Sequence, residues 1–294
     1  MKRILFAVLS VFTFSVFAQK QITVDLAPQT RGKKDLAFVV EIPQAALKNV
    51  ESDWLKYVGY GSKGKATEVD GEHLQKGAVN KNISSKPFNI YSKLLETTEG
   101  VRLMVWLDKR NTAFISKHPR SGLDYAVQKY VRDFAVMKYR QAVLTELIAE
   151  QDKLKELEEE LAGFIREEER SVMTISDNER STVRANDAIA VNNSDIKISS
   201  NKIYRQKEMV TYTASDSNAT KGAQKTLSDL KTEKENLQKD NEAQGMSIDS
   251  RNKENRKEER RTTGSQQDQE LKMAEIEKQK QRVQEVQTKV DNIQ

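Results

Sequence analysis

Apolar and polar residues alternate through the first third of the chain and then give way to a much longer, helical repeat. Ile22, Val24 and Leu26 alternate with polar neighbours, as do Leu36, Phe38, Val40 and Ile42. Period-two alternation predicts strands with one buried face, and Arg31-Gly32 between the two runs suits a turn. Pro43 ends the second run. Leu47, Val50, Trp54 and Val58 follow at three- and four-residue steps, which puts them on one side of a helix. The glycines from Gly59 to Gly64 break it. A weaker strand is predicted through Val69 to Val79, followed by a loop at Ser84-Ser85-Lys86-Pro87. Phe88, Ile90, Ser92 and Leu94 make one strand face and Val101, Leu103, Val105 and Leu107 another, with Thr98-Glu99-Gly100 between them as a hairpin turn. These elements predict an α+β head over 19–118, an antiparallel sheet with one packed helix. Trp106 and Met104 point away from the Val101–Leu107 face. Trp106 is therefore expected either under a second layer, with the first tail helix as the candidate, or in an exposed recognition patch.

From 121 to 294 the pattern changes to that of a long all-α coiled-coil tail. Ser121 with Asp124, just after Pro119, reads as the start of a helix. Leu123, Val127, Tyr130, Phe134 and Met137 give that helix an apolar face near the head. Leu147, Leu154 and Leu161 continue at seven-residue spacing, with Leu157 and Phe164 between them. Ile189, Ile196, Ile203 and Val210 repeat every seven residues, but their companions Asn192, Ser199 and Gln206 are polar. A polar seam favours one register at a cost in stability. Leu227, Leu230 and Leu237 open a further segment that turns almost wholly polar from Asn241 to Gly264, as a solvated charged helix would. Ile276, Gln279, Val283, Val286, Val290 and Ile293 then keep strict three-four spacing, a short seam that requires a partner. Breaks are expected near 171–177, 216–222 and 262–265. Two arrangements satisfy the seams: helical hairpins folded back within one chain, favoured by turn-like composition at the first two breaks, or pairing between chains.

Composition narrows the function. All four prolines and both tryptophans lie in the first 119 residues, and aromatics make up only 6% of the chain. That is too few for two ordinary cores. The net charge of +5 is the difference of 49 basic and 44 acidic residues, interspersed at helical spacing. Mixed charge of this kind makes solvated helix faces, so no nucleic-acid partner is expected. Lys2 and Arg3, the apolar run from Ile4 to Phe14, and Val16-Phe17-Ala18 read as a signal peptide over 1–18 cleaved before Gln19. The competing reading is an uncleaved anchor, but the run falls short of the roughly 20 residues a spanning helix needs. No transmembrane segment is expected in the mature chain. The expected location is exported, periplasmic or outer-membrane-associated. The chain has no cysteine, which excludes disulfides, thiolate metal sites and a lipid-modified cysteine.

No stretch carries the pattern of a catalytic or cofactor site. Gly59-Tyr-Gly-Ser-Lys-Gly64-Lys65 has the spacing of a phosphate-binding loop. That loop needs a strand before it, a helix after it, and Ser or Thr where Ala66 stands. His73 and His118, the only histidines, belong to no metal-ligand spacing. The triplets Glu158-Glu160 and Glu167-Glu169 lie on a charged helix face, where no burial raises a carboxylate for acid-base work. Neither enzyme activity nor cofactor nor metal is expected.

With its signal peptide, the head segments Trp54-Leu-Lys-Tyr57, Pro87-Phe-Asn-Ile-Tyr91 and Val101-Arg-Leu-Met-Val-Trp-Leu-Asp108, and its long helical tail, the chain resembles uncharacterised exported proteins common in Bacteroidota. That resemblance implies no activity and no site residues. The expectation from the residues is an interaction or scaffold protein of the cell envelope. Its partners would be envelope proteins or a second copy, contacted through Trp106 and the seam Ile276, Val283, Val286, Val290 and Ile293. The alternative is a holdase-like chaperone, because a small body with helical arms looks like the trimeric periplasmic chaperones of outer-membrane proteins. Such arms need an apolar lining, which 241–264 lacks.

Overall fold

A computed structural model describes residues 21–31, 33–62, 64–108, 122–213 and 217–294. The expected signal peptide, His118 and the expected helix start at Ser121 lie outside the described residues. Contacts divide the chain into two units. The head comprises the residues up to Lys153 together with Gln279–Gln294, and the stalk comprises Leu154–Lys278. The α+β head is followed by a helical tail of two long helices, as the sequence pattern predicts, but the tail does not begin and end outside the head unit. Its first 32 and last 13 helical residues, 122–153 and 279–291, belong to the head itself.

Six antiparallel strands form the head sheet: β1 (Val24–Arg31), β2 (Lys33–Pro43), β3 (Thr67–Val69), β4 (Glu72–Ala78), β5 (Phe88–Thr97) and β6 (Gly100–Asp108). Their order is β1-β2-β6-β5-β4-β3. Burial follows the alternation: Phe38, Val40 and Ile42 of β2 and Val101, Leu103, Val105 and Leu107 of β6 are all buried on one face. The weaker strand expected through Val69–Val79 is instead a hairpin, β3 and β4. Asp70 and Gly71 between them both have positive φ (57° and 72°), the geometry of a two-residue turn that Asp-Gly favours. At the β5–β6 turn Gly100 takes φ 152° and lies against the main chain of Ile42–Gln44.

The helix α1 (Leu47–Gly59) packs across β4, β5 and β6 through Val50, Trp54 and Val58, as its spacing predicts. Over it lies the start of α2 (Gly122–Tyr212). Trp54 meets Phe134 edge-on at 4.9 Å between ring centres, and Tyr57 stacks on Tyr130 at 4.6 Å. Each tyrosine hydroxyl donates to the other's main-chain carbonyl at 3.3 Å. Such aromatic contacts add about 0.5–1.5 kcal/mol beyond area burial. Lys138 is 3% exposed and is satisfied by Asp53 and Gln141, both at 2.6 Å.

The same core is completed by the end of α3 (Ser217–Asp291). Val286 and Ile293 are buried in it, with Val283 and Val290 packed alongside, together with Tyr139, Val143 and Leu147 of α2. Polar groups lock this end in place. Gln279 donates to the Glu150 carbonyl and carboxylate (2.9 and 2.7 Å), and Arg282 and Lys289 both reach Glu146. Lys289 also donates to Gln44 at 2.6 Å. Arg132 and Arg140 donate to the carbonyls of Gln294 and Ile293.

In the stalk, α2 and α3 run antiparallel as one hairpin. Phe164 meets Ser265, Ser171 meets Glu258, Asn178 meets Asn255 and Asn192 meets Asn241. Seven residues along α2 from Phe164 to Ser171 are matched by seven backwards along α3, and the fourteen from Asn178 to Asn192 by fourteen, the periodicity of a coiled coil, with a four-residue shift in offset between the two stretches. Of the two arrangements, pairing within one chain is the one adopted. The breaks expected near 171–177 and 262–265 do not occur, because both helices run through. No proline stands there, and the turn-like residues serve the helix pair instead. The Ser171 and Ser265 hydroxyls bond across the seam, and the Thr174 and Thr263 hydroxyls return to the carbonyls of Arg170 and Glu259 one turn back. At the expected break near 216–222, α2 ends at Tyr212 and α3 begins at Ser217, so Ser217–Gly222 are already helical.

Candidate functional site

Helices in the stalk meet along a seam that is apolar in places and polar at regular intervals. Ile189, Ile196, Ile203 and Val210 are half-buried, and Asn192, Ser199 and Gln206 share the seam with them, as their spacing predicts. The segment expected to be a solvated charged helix, 241–264, supplies the opposing polar groups. Arg251 donates to the Ser181 carbonyl at 3.1 Å, Asn178 to Asn255 at 2.9 Å and Asn192 to Asn241 at 3.0 Å. Glu258, 7% exposed, accepts from Ser171 and Arg261, both at 2.8 Å. A buried carboxylate held by two donors specifies register more than it adds stability.

Nearer Leu154 the contacts are amide grips and ion pairs. Gln266 and Gln269 donate to the two oxygens of Glu168 at 2.6 and 2.7 Å, which holds its carboxyl below the usual range. Lys272 bridges Glu160 and Glu275, and those bonds raise its ammonium pKa. A groove of about 740 Å³ opens beside the Ser171–Glu258 pair, lined also by Arg166, Arg170 and Arg261. A second, of about 550 Å³, lies in the head between the start of α1 and α2, with Asp53 and Lys138 on its wall. Charges of both signs line each groove; Asp53 pairs with Lys56 and Lys138 in the head, and Glu258 with Arg261 in the stalk. Among the described residues no group of three or more His, Asp or Glu side chains is placed to hold a metal ion. No described helix is long and apolar enough to cross a membrane.

The residues singled out as contact candidates are placed otherwise than a free interaction surface requires. Trp106 is 2% exposed, in a small cluster with Ala37 and Met104 flanked by Val39 and Tyr91. It is buried, as one of its two readings expects, but its cluster contains no residue of the first tail helix, which lies on the opposite, α1-bearing side of the sheet. The terminal seam already has its partner: Val286 and Ile293 are buried in the head core with Val283 and Val290 packed against it, and Ile276 is buried in the stalk, 6% exposed. His73 lies on β4 with Nε2 2.7 Å from Glu51 on α1, an ordinary cross-element contact. The phosphate-loop spacing at Gly59–Lys65 joins a helix to a strand, the reverse of the order such a loop needs.

Exposed large apolar side chains in the stalk include Met246, Leu271 and Met273 on α3, but the longer series lies on α2. Ile165, Val172, Val183, Val191, Ile198, Met209 and Tyr212 are exposed, from 41% at Ile165 to 86% at Tyr212. None belongs to the seam, which takes the positions at Leu154 and Leu157 and every seventh residue after each. The sequence carries them as apolar residues, five of the seven branched at Cβ, that stand off the heptad. No protein-family model matches the chain, and no match was found among curated proteins.

Proposed function

We propose that this is an exported, non-enzymatic contact protein of the cell envelope, in which the head closes on itself and the stalk carries the binding surface. The observation that carries this reading is the exposed apolar side of α2 between Ile165 and Tyr212. Large apolar groups left in water along a charged helix mark interaction surfaces. Export is supported by the basic, apolar and small-residue succession of the first 18 residues. The holdase-like reading is the weaker one, since the inner faces of the two stalk helices are occupied by each other.

The test is fractionation of cells expressing the full chain with a photo-cross-linker at Ile198. The mature protein should begin at Gln19, leave the cytoplasm, and form specific adducts with envelope proteins or with its own copies. An uncleaved cytoplasmic protein, or an exported one without adducts at Ile198, would overturn the proposal.

A further inference from the structure

We infer that the exposed side of α2 in the stalk is a self-association surface, on which a second copy docks antiparallel about a twofold axis near Asp187. At 100° per residue, Ile165, Val172, Val183, Val191, Ile198, Met209 and Tyr212 fall within about 100° of the helix circumference. They form one straight stripe, about 70 Å long at 1.5 Å per residue. Covering these side chains and their neighbours would bury on the order of the 800 Å² per partner that stable interfaces use.

Charge selects the occupant and its direction. Between 154 and 176, α2 carries seven glutamates against three basic residues, whereas 177–212 carries six basic against five acidic. A parallel copy would set glutamate against glutamate, while an antiparallel copy sets the acidic portion against one with a slight basic excess. With the axis at Asp187, Val183 faces the second copy's Val191, Ile165 faces Met209, and Glu169 faces Arg205. A twofold interface is self-complementary, so each of these contacts occurs twice. The arrangement also has unfavourable features, Asp187 against its own copy, Glu179 against Asp195 and Val172 against Lys202, and the first of these provides a gain-of-function test.

This inference rests on reading the stalk as a contact surface, but it concerns the purified protein and is independent of export. The chain has no cysteine, so single-cysteine variants of the full mature protein report contacts cleanly. Under mild oxidation, a mixture of Val183→Cys and Val191→Cys chains should form a mixed disulfide dimer much faster than either variant alone. Sedimentation equilibrium of the unmodified chain should show dimer. Val183→Glu with Val191→Glu should return it to monomer at unchanged helicity, because both side chains are already in water. Asp187→Asn should tighten the dimer about tenfold, the equivalent of about 1.4 kcal/mol. A monomer at ~100 µM, where a contact of about 5 kcal/mol would already associate, would overturn the inference. So would preferential Val183→Cys self-cross-linking, or a dimer indifferent to the two glutamates. If the dimer fails while cross-links to other envelope proteins persist in cells, only the choice of partner is lost.

Discussion

Gly100 bears more of the head's geometry than any other single residue of its turn. Its φ of 152° is one that side-chain-bearing residues avoid, and a Cβ there would fall on the Ile42 carbonyl oxygen with Gln44 N only 2.9 Å away. Both neighbours are backbone and cannot swing aside. Gly100→Ala is expected to cost about 2–4 kcal/mol, combining dihedral strain with the clash. Urea unfolding followed by the fluorescence of the buried Trp54 and Trp106 measures it, and a loss under about 0.5 kcal/mol, the level of an ordinary surface change, would show that the turn is not held this way. At the opposite end of the pH scale, burial pushes the Tyr57 hydroxyl up to about 12 and Tyr130 higher still. Because their folded values exceed the unfolded value near 10, the stability they contribute is whole below pH 10 and is lost as pH rises through about 12. Burial raises Tyr139 as well, so an absorbance titration should show three late-ionising tyrosines and head unfolding that sets in above pH 10; all eight tyrosines ionising together near 10 in the folded state would contradict the stack. Asp53 is shifted the other way, its carboxyl held low chiefly by the bond from Lys138 and then by Lys56. Its contribution is present above its ordinary value and disappears as pH falls through the folded one.

Between the polar rungs of the stalk, specificity and stability pull against each other. Asn192 and Asn241 meet at 3.0 Å in the seam. Replacing both with Leu should raise the melting temperature while admitting shifted registers, because matched apolar pairs stabilise a coiled coil but do not discriminate among offsets. Thermal melts read the first effect. A Cys pair at positions 178 and 255 reads the second, since its intramolecular disulfide yield should fall. A lowered melting temperature would mean that the asparagine pair stabilises as well as aligns. The strands, α1 and the seam around Leu154–Phe164 were all legible in the sequence, because each is a run of apolar residues at a single period. The β3–β4 hairpin was missed although Asp70-Gly71 is a strong turn signal, because its flanking strands are short and mostly polar. The false breaks at 171–177 and 262–265 have a common cause. Ser, Thr and Asn end helices when they find local backbone partners, but here a second helix offers partners across the seam, which one chain read linearly does not reveal.

Across the whole molecule the decisive feature is topological. The stalk, Leu154–Lys278, is an insertion between two parts of the head, and the head core is completed by residues from the far end of the sequence. The terminal seam was visible as a pattern needing a partner. Its partner was not, because Val286 and Ile293 pack against residues some 150 positions earlier and nothing local encodes that pairing. The most direct measurement compares two shortened chains. In one, 154–278 is replaced by a short αα turn of the 2–5 residues that join antiparallel helices, leaving Glu150 and Gln279 as neighbours. In the other, the chain simply stops at Lys153. The first should unfold cooperatively in urea with the near-ultraviolet signal of a packed Trp54, whereas the second should lack both. A stop-at-153 chain as stable as the first, or a turn-joined head that does not fold, would contradict the account.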